Sequence, residues 1–113
     1  MRTIVVAPHP DDELLGVGGS ILRRKAEGVE VFWMIVTGMT IKHGWSIKKI
    51  DKRAQEVKKI SNALGFKKVF ELNFPTTQLE LISMNELINK ISSVFKEVEP
   101  NEVFLPHPSD IHT

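Results

Sequence analysis

The chain has 113 residues, enough for one domain and a modest core, and its 42% apolar and 26% charged shares are those of an ordinary globular protein. Fifteen Lys and Arg against 14 Asp and Glu leave a net charge of +1, which favours neither nucleic acid nor an anionic membrane as partner. The lack of cysteine excludes disulfides, thiolate catalysis and Cys-rich metal sites. With no apolar run of about 18 residues for a membrane span and no secretory-signal pattern, the sequence reads as cytoplasmic.

Thr3 to Pro8 is a short β-branched run that suits a buried strand, ended by Pro8 and Pro10. Leu14 to Glu27 has helical periodicity, with Leu14, Leu15, Ile21, Leu22 and Ala26 on one face and Gly28 as a stop. Gly16, Gly18 and Gly19 near its start let the helix backbone lie close against a sheet. Val29 to Thr37 is a second strand, broken by Gly38. Lys48 to Leu64 is a long amphipathic helix with Ala54, Val57, Ile60 and Leu64 inward and Gly65 as its cap. Its lysines, Lys48, Lys49, Lys52, Lys58 and Lys59, read as a solvated face. Lys68 to Leu72 is a third strand. Ser83 to Val98 is a helix with Ser83 as N-cap and Leu87, Ile88, Ile91, Val94 and Phe95 inward. Glu102 to Leu105 is a fourth strand, ended by Pro106.

Strands alternating with helices argue for an α/β domain, Rossmann-like, with a mostly parallel sheet in a three-layer α/β/α sandwich. In the strand order 3-2-1-4, strands 1 and 4 are neighbours at the topological switch point, where such sheets bind ligands beyond their carboxyl ends. The loops after those strands, His9 to Glu13 and His107 to Thr113, then face one crevice from opposite ends of the sequence.

His9, Asp11 and Asp12 crowd the turn after the first strand. Imidazole and carboxylate suit zinc, and His9 and Asp12, three apart across a tight turn, can reach one ion. Asp11 is then free to take a proton from a water on that ion, whose pKa zinc lowers to about 7. The plainer alternative is that an aspartate caps the following helix and His9 packs at the strand end. The cluster Gly16-x-Gly18-Gly19 lacks dinucleotide-binding spacing and is set aside as such a site.

The run Val6-Ala7-Pro8-His9-Pro10-Asp11-Asp12-Glu13-Leu14-Leu15-Gly16-Val17-Gly18-Gly19 resembles the opening signature of the PIG-L/LmbE family of zinc-dependent de-N-acetylases. The resemblance continues through Arg53-x-x-Glu56, Ala63-Leu64-Gly65 and Leu72-Asn73-Phe74-Pro75, and ends in Leu105-Pro106-His107-Pro108-Ser109-Asp110-Ile111-His112. It implies a Zn2+ cofactor with His9 and Asp12 as ligands and Asp11 as general base. His112 matches the first histidine of a family His-x-x-His pair, the one that serves as general acid and stabilises the oxyanion. The second, a zinc ligand, falls beyond Thr113, and His107 fits that role less well. Arg53 matches a sugar-binding residue, with an exposed pair to Glu56 as the alternative. His43 and Trp45 lie over the expected mouth of the site, where Trp45 either stacks on a sugar or tucks onto its own domain. Thr76 stands where many relatives carry an acidic residue.

The expectation is therefore zinc-dependent hydrolysis of an acetamide on a small N-acetylglucosamine-type substrate. Residues 1–113 would be the amino-terminal part of a single deacetylase domain, incomplete at its carboxyl end. Two alternatives are a zinc hydrolase acting on a different amide and a non-catalytic fragment of the same fold. The edge of the strand at 102–105 invites pairing with a second copy.

Overall fold

The computed structural model describes residues 1–7, 18–39, 44–75 and 84–105. Along the chain these form β1 (Arg2–Ala7), α1 (Gly18–Ala26), β2 (Glu30–Gly38), α2 (Ile47–Leu64), β3 (Lys68–Pro75), α3 (Met84–Val98) and β4 (Glu102–Phe104). All strand pairs are parallel and the sheet order is β3-β2-β1-β4. This is the α/β architecture and winding the sequence implies. Among the described residues, no helix is long and apolar enough to cross a membrane.

Side-chain alternation divides each strand between two apolar layers. Val5, Val31, Trp33 and Ile35 pack beneath Ile21 of α1 and Val57, Ile60 and Leu64 of α2. On the opposite face Ile4, Phe32 and Met34 pack beneath Val94 and Val98 of α3. Because β2 is covered on both sides, Val31 to Ile35 are all buried, which is why this stretch reads as a continuous apolar run. Each such side chain contributes about 1.5–3 kcal/mol relative to exposure.

The helix ends follow from local chemistry. The Ser46 hydroxyl accepts a 3.2 Å bond from the Lys49 N–H at the start of α2. Gly65 closes that helix in the left-handed region (φ 67°), its N–H donating to the Ser61 carbonyl. Three expectations about helix faces are corrected. In α1, Ile21 is buried while Leu22 and Ala26 are exposed. In α2 the inward stripe is Arg53, Val57, Ile60 and Leu64, and Ala54, one step round the helix, is exposed. In α3, Ile88 is exposed and the buried contacts lie in its second half, at Val94 and Val98. Gly18 does permit a close approach, but to a helix: a Cβ there would sit 2.8 Å from Cδ2 of Leu64.

β4 has only three residues, and its attachment to β1 is reinforced by side chains. Arg24 of α1 grips Glu102 at two points, Nε to Oε1 at 2.7 Å and Nη2 to Oε2 at 2.9 Å. The Thr3 hydroxyl donates to Oε1 at 2.8 Å, and the guanidinium stands 5.0 Å from the Phe104 ring centroid. Upstream, Asn101 donates its N–H to the Arg2 carbonyl and accepts the Arg2 N–H on Oδ1. The hydrogen bonds from Arg24 and then Thr3 hold the Glu102 carboxyl down to about 2, against an ordinary 4.5.

A depressed carboxylate stabilises the fold above its unfolded pKa and loses that contribution as pH falls through its folded value. Glu102→Gln should therefore cost about 1 kcal/mol at pH 7, as expected for a half-exposed bidentate pair. The gap from the parent should close between about pH 4.5 and about pH 2. Urea unfolding across that range checks it; a gap that persists at pH 2 would show that the carboxylate is not the cause.

Candidate functional site

On the face covered by α2, the side chains of β2 run Val31, Trp33, Ile35, Thr37, and those of β3 run Val69, Glu71. Both rows change from apolar to polar at their carboxyl ends, where the hydrophobic layer stops. Arg53 closes the layer there. It is 8% exposed, and its Nη2 donates to the Thr37 carbonyl at 2.5 Å and to the Thr37 hydroxyl at 3.1 Å. Burial lowers its pKa, while Glu71 and then Glu56 oppose the shift; a guanidinium keeps its charge in such surroundings. The sequence left Arg53 as either a ligand-binding residue or an exposed partner of Glu56. Its side chain turns inward to Thr37, so the exposed-pair alternative is discarded.

Beside Arg53 the strand register slips. Ile35 pairs with Glu71, but Thr37 pairs with Phe74, so β3 carries one extra residue. Asn73 absorbs it in the left-handed region (φ 60°), a conformation asparagine tolerates better than most residues. The Asn73 backbone then lies against Gly38, where a Cβ would fall 2.6 Å from the Asn73 Cα. The glycine that reads as a strand breaker is the last residue of β2, and it makes room for the bulge.

Two clefts open at this end of the sheet and share Met39 and Arg53. The inner one, about 200 Å3, is also lined by Gly38, Ile50, Ala54, Glu71 and Asn73. The outer one, about 300 Å3, is also lined by Trp45, Lys49, Lys52 and Glu56. A guanidinium, a carboxylate and a carboxamide around the inner cleft offer both donors and acceptors, a combination suited to a polyhydroxylated ligand. Glu71 and Met39 were not singled out in the sequence, and Asn73 entered it only within the motif Leu72-Asn73-Phe74-Pro75, with no role of its own. The one available signal was Glu71, a charge in the apolar row of β3 on the same face as Val69.

His9, Asp11, Asp12, His43, Thr76, His107 and His112 lie outside the described residues. What is described is where the segments that hold His9 to Asp12 and His107 to His112 begin. β1 ends at Ala7, β4 ends at Phe104, and Val5 pairs with Phe104, so the two strands deliver the chain to neighbouring points at the switch in strand order. Among the described residues no group of three His, Asp or Glu side chains is placed to hold a metal ion.

The family model for PIG-L, GlcNAc-PI de-N-acetylase, matches residues 4–113. The diacetylchitobiose deacetylase of Thermococcus kodakarensis is 29% identical over 111 residues, covering 95% of this chain and 41% of that protein. A probable N-acetyl-alpha-D-glucosaminyl L-malate deacetylase 2 of Bacillus cereus is 30% identical over 116 residues, covering 95% and 52%. The chain thus spans about half the length of the curated relatives it matches. The N,N'-diacetylchitobiose deacetylase structure from Pyrococcus horikoshii, solved with an inhibitor, superposes with a TM-score of 0.71 at 25% identity, covering 90% of this chain and 39% of that one.

Gly38→Ala should destabilise the protein by about 1–3 kcal/mol, because the new methyl meets the Asn73 backbone at its Cα as well as the Asn73 side chain, and the backbone cannot swing aside. Gly19→Ala, with nothing within 4 Å of its added Cβ, is the control and should change stability little. Paired urea titrations check both; equal midpoints would remove the close-approach account of the bulge.

Proposed function

The chain belongs to the PIG-L family of de-N-acetylases, and from that premise we propose that it takes part in the zinc-dependent hydrolysis of an acetamide on an N-acetylglucosamine-type substrate. The observation that carries the reading is the pairing of a two-part motif with sheet order. The His9 to Glu13 and His107 to His112 segments leave from the paired ends of β1 and β4, beside a cleft whose wall is the buried Arg53. Residues 1–113 act in this proposal as the amino-terminal part of one deacetylase domain.

The donor set fits zinc: one imidazole and one carboxylate, with no thiolate in the chain. His9 and Asp12 would hold the ion together with a third donor, and when bound it would supply Lewis-acid polarisation and a water of lowered pKa. Asp11 takes the proton of the attacking water. His112, as imidazolium, hydrogen-bonds the developing oxyanion and then gives its proton to the departing amine. Arg53, held by Thr37, donates to sugar hydroxyls in the inner cleft, and Glu71 accepts from them. Two copies pair along the outer edge of β4, where Val103 and Leu105 are 46% and 63% exposed.

In a zinc-loaded chain extended past Thr113 to the length of its relatives, Asp11→Asn should lower amine release from an N-acetylglucosaminide by about 10²–10⁴-fold, with zinc content by elemental analysis unchanged. Parallel loss of metal and activity would make Asp11 a ligand. A zinc-loaded chain extended past Thr113 to the length of its relatives that releases no amine from any N-acetylated amino sugar would overturn the deacetylase reading. Sedimentation should show a dimer that dissociates on Val103→Lys; a monomer at high concentration would exclude the edge pairing.

A further inference from the structure

The bulge in β3 puts an asparagine where a glycine would be the easier choice. Asn73 holds φ 60°, a region that glycine enters freely and that other residues enter at a steric cost. The extra residue also decides which side chain goes where. Phe74 takes the place opposite Thr37 and is buried, while Asn73 moves out to the wall of the inner cleft. Its Oδ1 lies over Gly38, in the space a Cβ would fill. Its Nδ2 donates to the Glu71 carbonyl at 3.4 Å, a weak bond beside the usual separation of roughly 2.7–3.2 Å. The turn alone therefore does not explain a carboxamide here. The other polar groups of the cleft give it a distinct chemistry. Arg53 only donates and Glu71 only accepts, and of the described side chains around the cleft Asn73 alone does both. Glu71 acts on the Arg53 charge without forming an ion pair with it among the described residues, so its carboxylate oxygens stay available to a ligand.

We propose that Asn73 is a specificity-determining residue for the side of the sugar ring away from the acetamide. Its Nδ2 donates to the oxygen of the 4-hydroxyl, and Glu71 accepts a hydrogen bond from the same hydroxyl. The inference rests on the amino-sugar reading of the inner cleft and concerns a residue to which that reading gives no role. The ring position follows from sheet order. In that reading the acetamide on C2 is directed toward β1, and β3 lies on the far side of β2. Glu71 and Asn73 therefore face the opposite part of the ring, made of C4, C5 and the ring oxygen, where C4 alone carries a ring hydroxyl. An equatorial hydroxyl set between a carboxylate and a carboxamide has both its donor and its acceptor matched. The axial epimer takes that oxygen out of line with the two groups and leaves both contacts unmade.

A zinc-loaded chain extended past Thr113 to the length of its relatives tests this with two substrates. They are an N-acetylglucosaminide and the matching N-acetylgalactosaminide, which differ only in configuration at C4. The parent should favour the gluco epimer by about 10-fold or more in kcat/KM. Asn73→Gly accepts the same backbone without strain, so its urea midpoint should stay close to that of the parent. It should lower kcat/KM for the gluco substrate by about 3–10-fold, chiefly through KM, and change the galacto substrate little. Asn73→Asp tolerates the same backbone but exchanges the amide donor for a second carboxylate beside Glu71, and it should lose the preference as well. A parent with no preference at C4, a preference that survives Asn73→Gly, or an equal loss for both epimers would overturn the inference and leave Asn73 as a turn residue. A loss that follows a fall in the urea midpoint would do the same. No amine release from either substrate would overturn the amino-sugar reading and this inference with it, whereas release with an epimer ratio independent of Asn73 overturns this inference alone.

Discussion

The bidentate clasp of Arg24 on Glu102 is the contact on which the arrangement of the candidate site depends. Three residues of β4 make too short a ladder to fix a strand securely by backbone bonds alone, and among the described residues that strand lies at the edge of the sheet. The clasp joins α1 to β4, and the Thr3 hydroxyl on the same carboxylate ties both to β1. One charged group thus coordinates three elements. It lies at the start of β1 and β4, so it sets the register of both strands from the end opposite to the site. Wherever the chain goes after Phe104, its point of departure is settled by a contact of Glu102 with residues from the first quarter of the sequence.

Arg53 is the complementary constraint on the other half of the sheet. A buried guanidinium is costly unless hydrogen-bonded, and here two oxygens of a single residue, Thr37, receive it. A methionine or leucine at this place on the α2 stripe would extend the hydrophobic layer at lower desolvation cost. The arginine carries the layer's last position into a polar cleft instead. The left-handed Asn73 and the close-packed Gly38 belong to the same local arrangement, since the extra residue in β3 is what brings Asn73 to the cleft wall. Local conformational cost concentrated beside a cleft is the pattern expected of a site rather than of a core.

The strands and their order were legible in the sequence because each rests on a strong local signal. Buried parallel strands are continuous apolar runs, and prolines or glycines punctuate them. What was hidden depends on a side chain's environment. Arg53 on a lysine-rich helix carries the same composition whether it points to water or to Thr37; only the phase of Val57, Ile60 and Leu64 separates the two, and including Ala54 in the stripe obscured that phase. The register slip at Asn73 left no mark in the Lys68 to Leu72 pattern, so β3 was cut short by three residues. Glu71 was overlooked because a single charge near an edge-strand end ordinarily means solvent. The lysines of α2, Lys48, Lys49, Lys52, Lys58 and Lys59, are all exposed, as a solvated face requires. The motif residues His9, Asp11, Asp12 and His112 owe their roles to pattern and chemistry, as they lie outside the described residues.

Sheet order also explains how reaction and recognition come to share one end of the fold. In the proposed function the groups that act on the acetamide follow β1 and β4, whereas those that hold the sugar belong to β2, α2 and β3. β1 is adjacent to β2, so the origin of the reactive loop and the Arg53 cleft are separated by one to two strand spacings of about 4.8 Å each. That separation is comparable to a single pyranose ring with its acetamide arm. Under that proposal a ring in the inner cleft would have its N-acetyl group toward the carboxyl end of β1. The same geometry limits what a change in specificity requires. Residues of the outer cleft on the first turns of α2 can vary without altering β1 or β4, because they are neither part of the sheet nor joined to the clasp at Glu102.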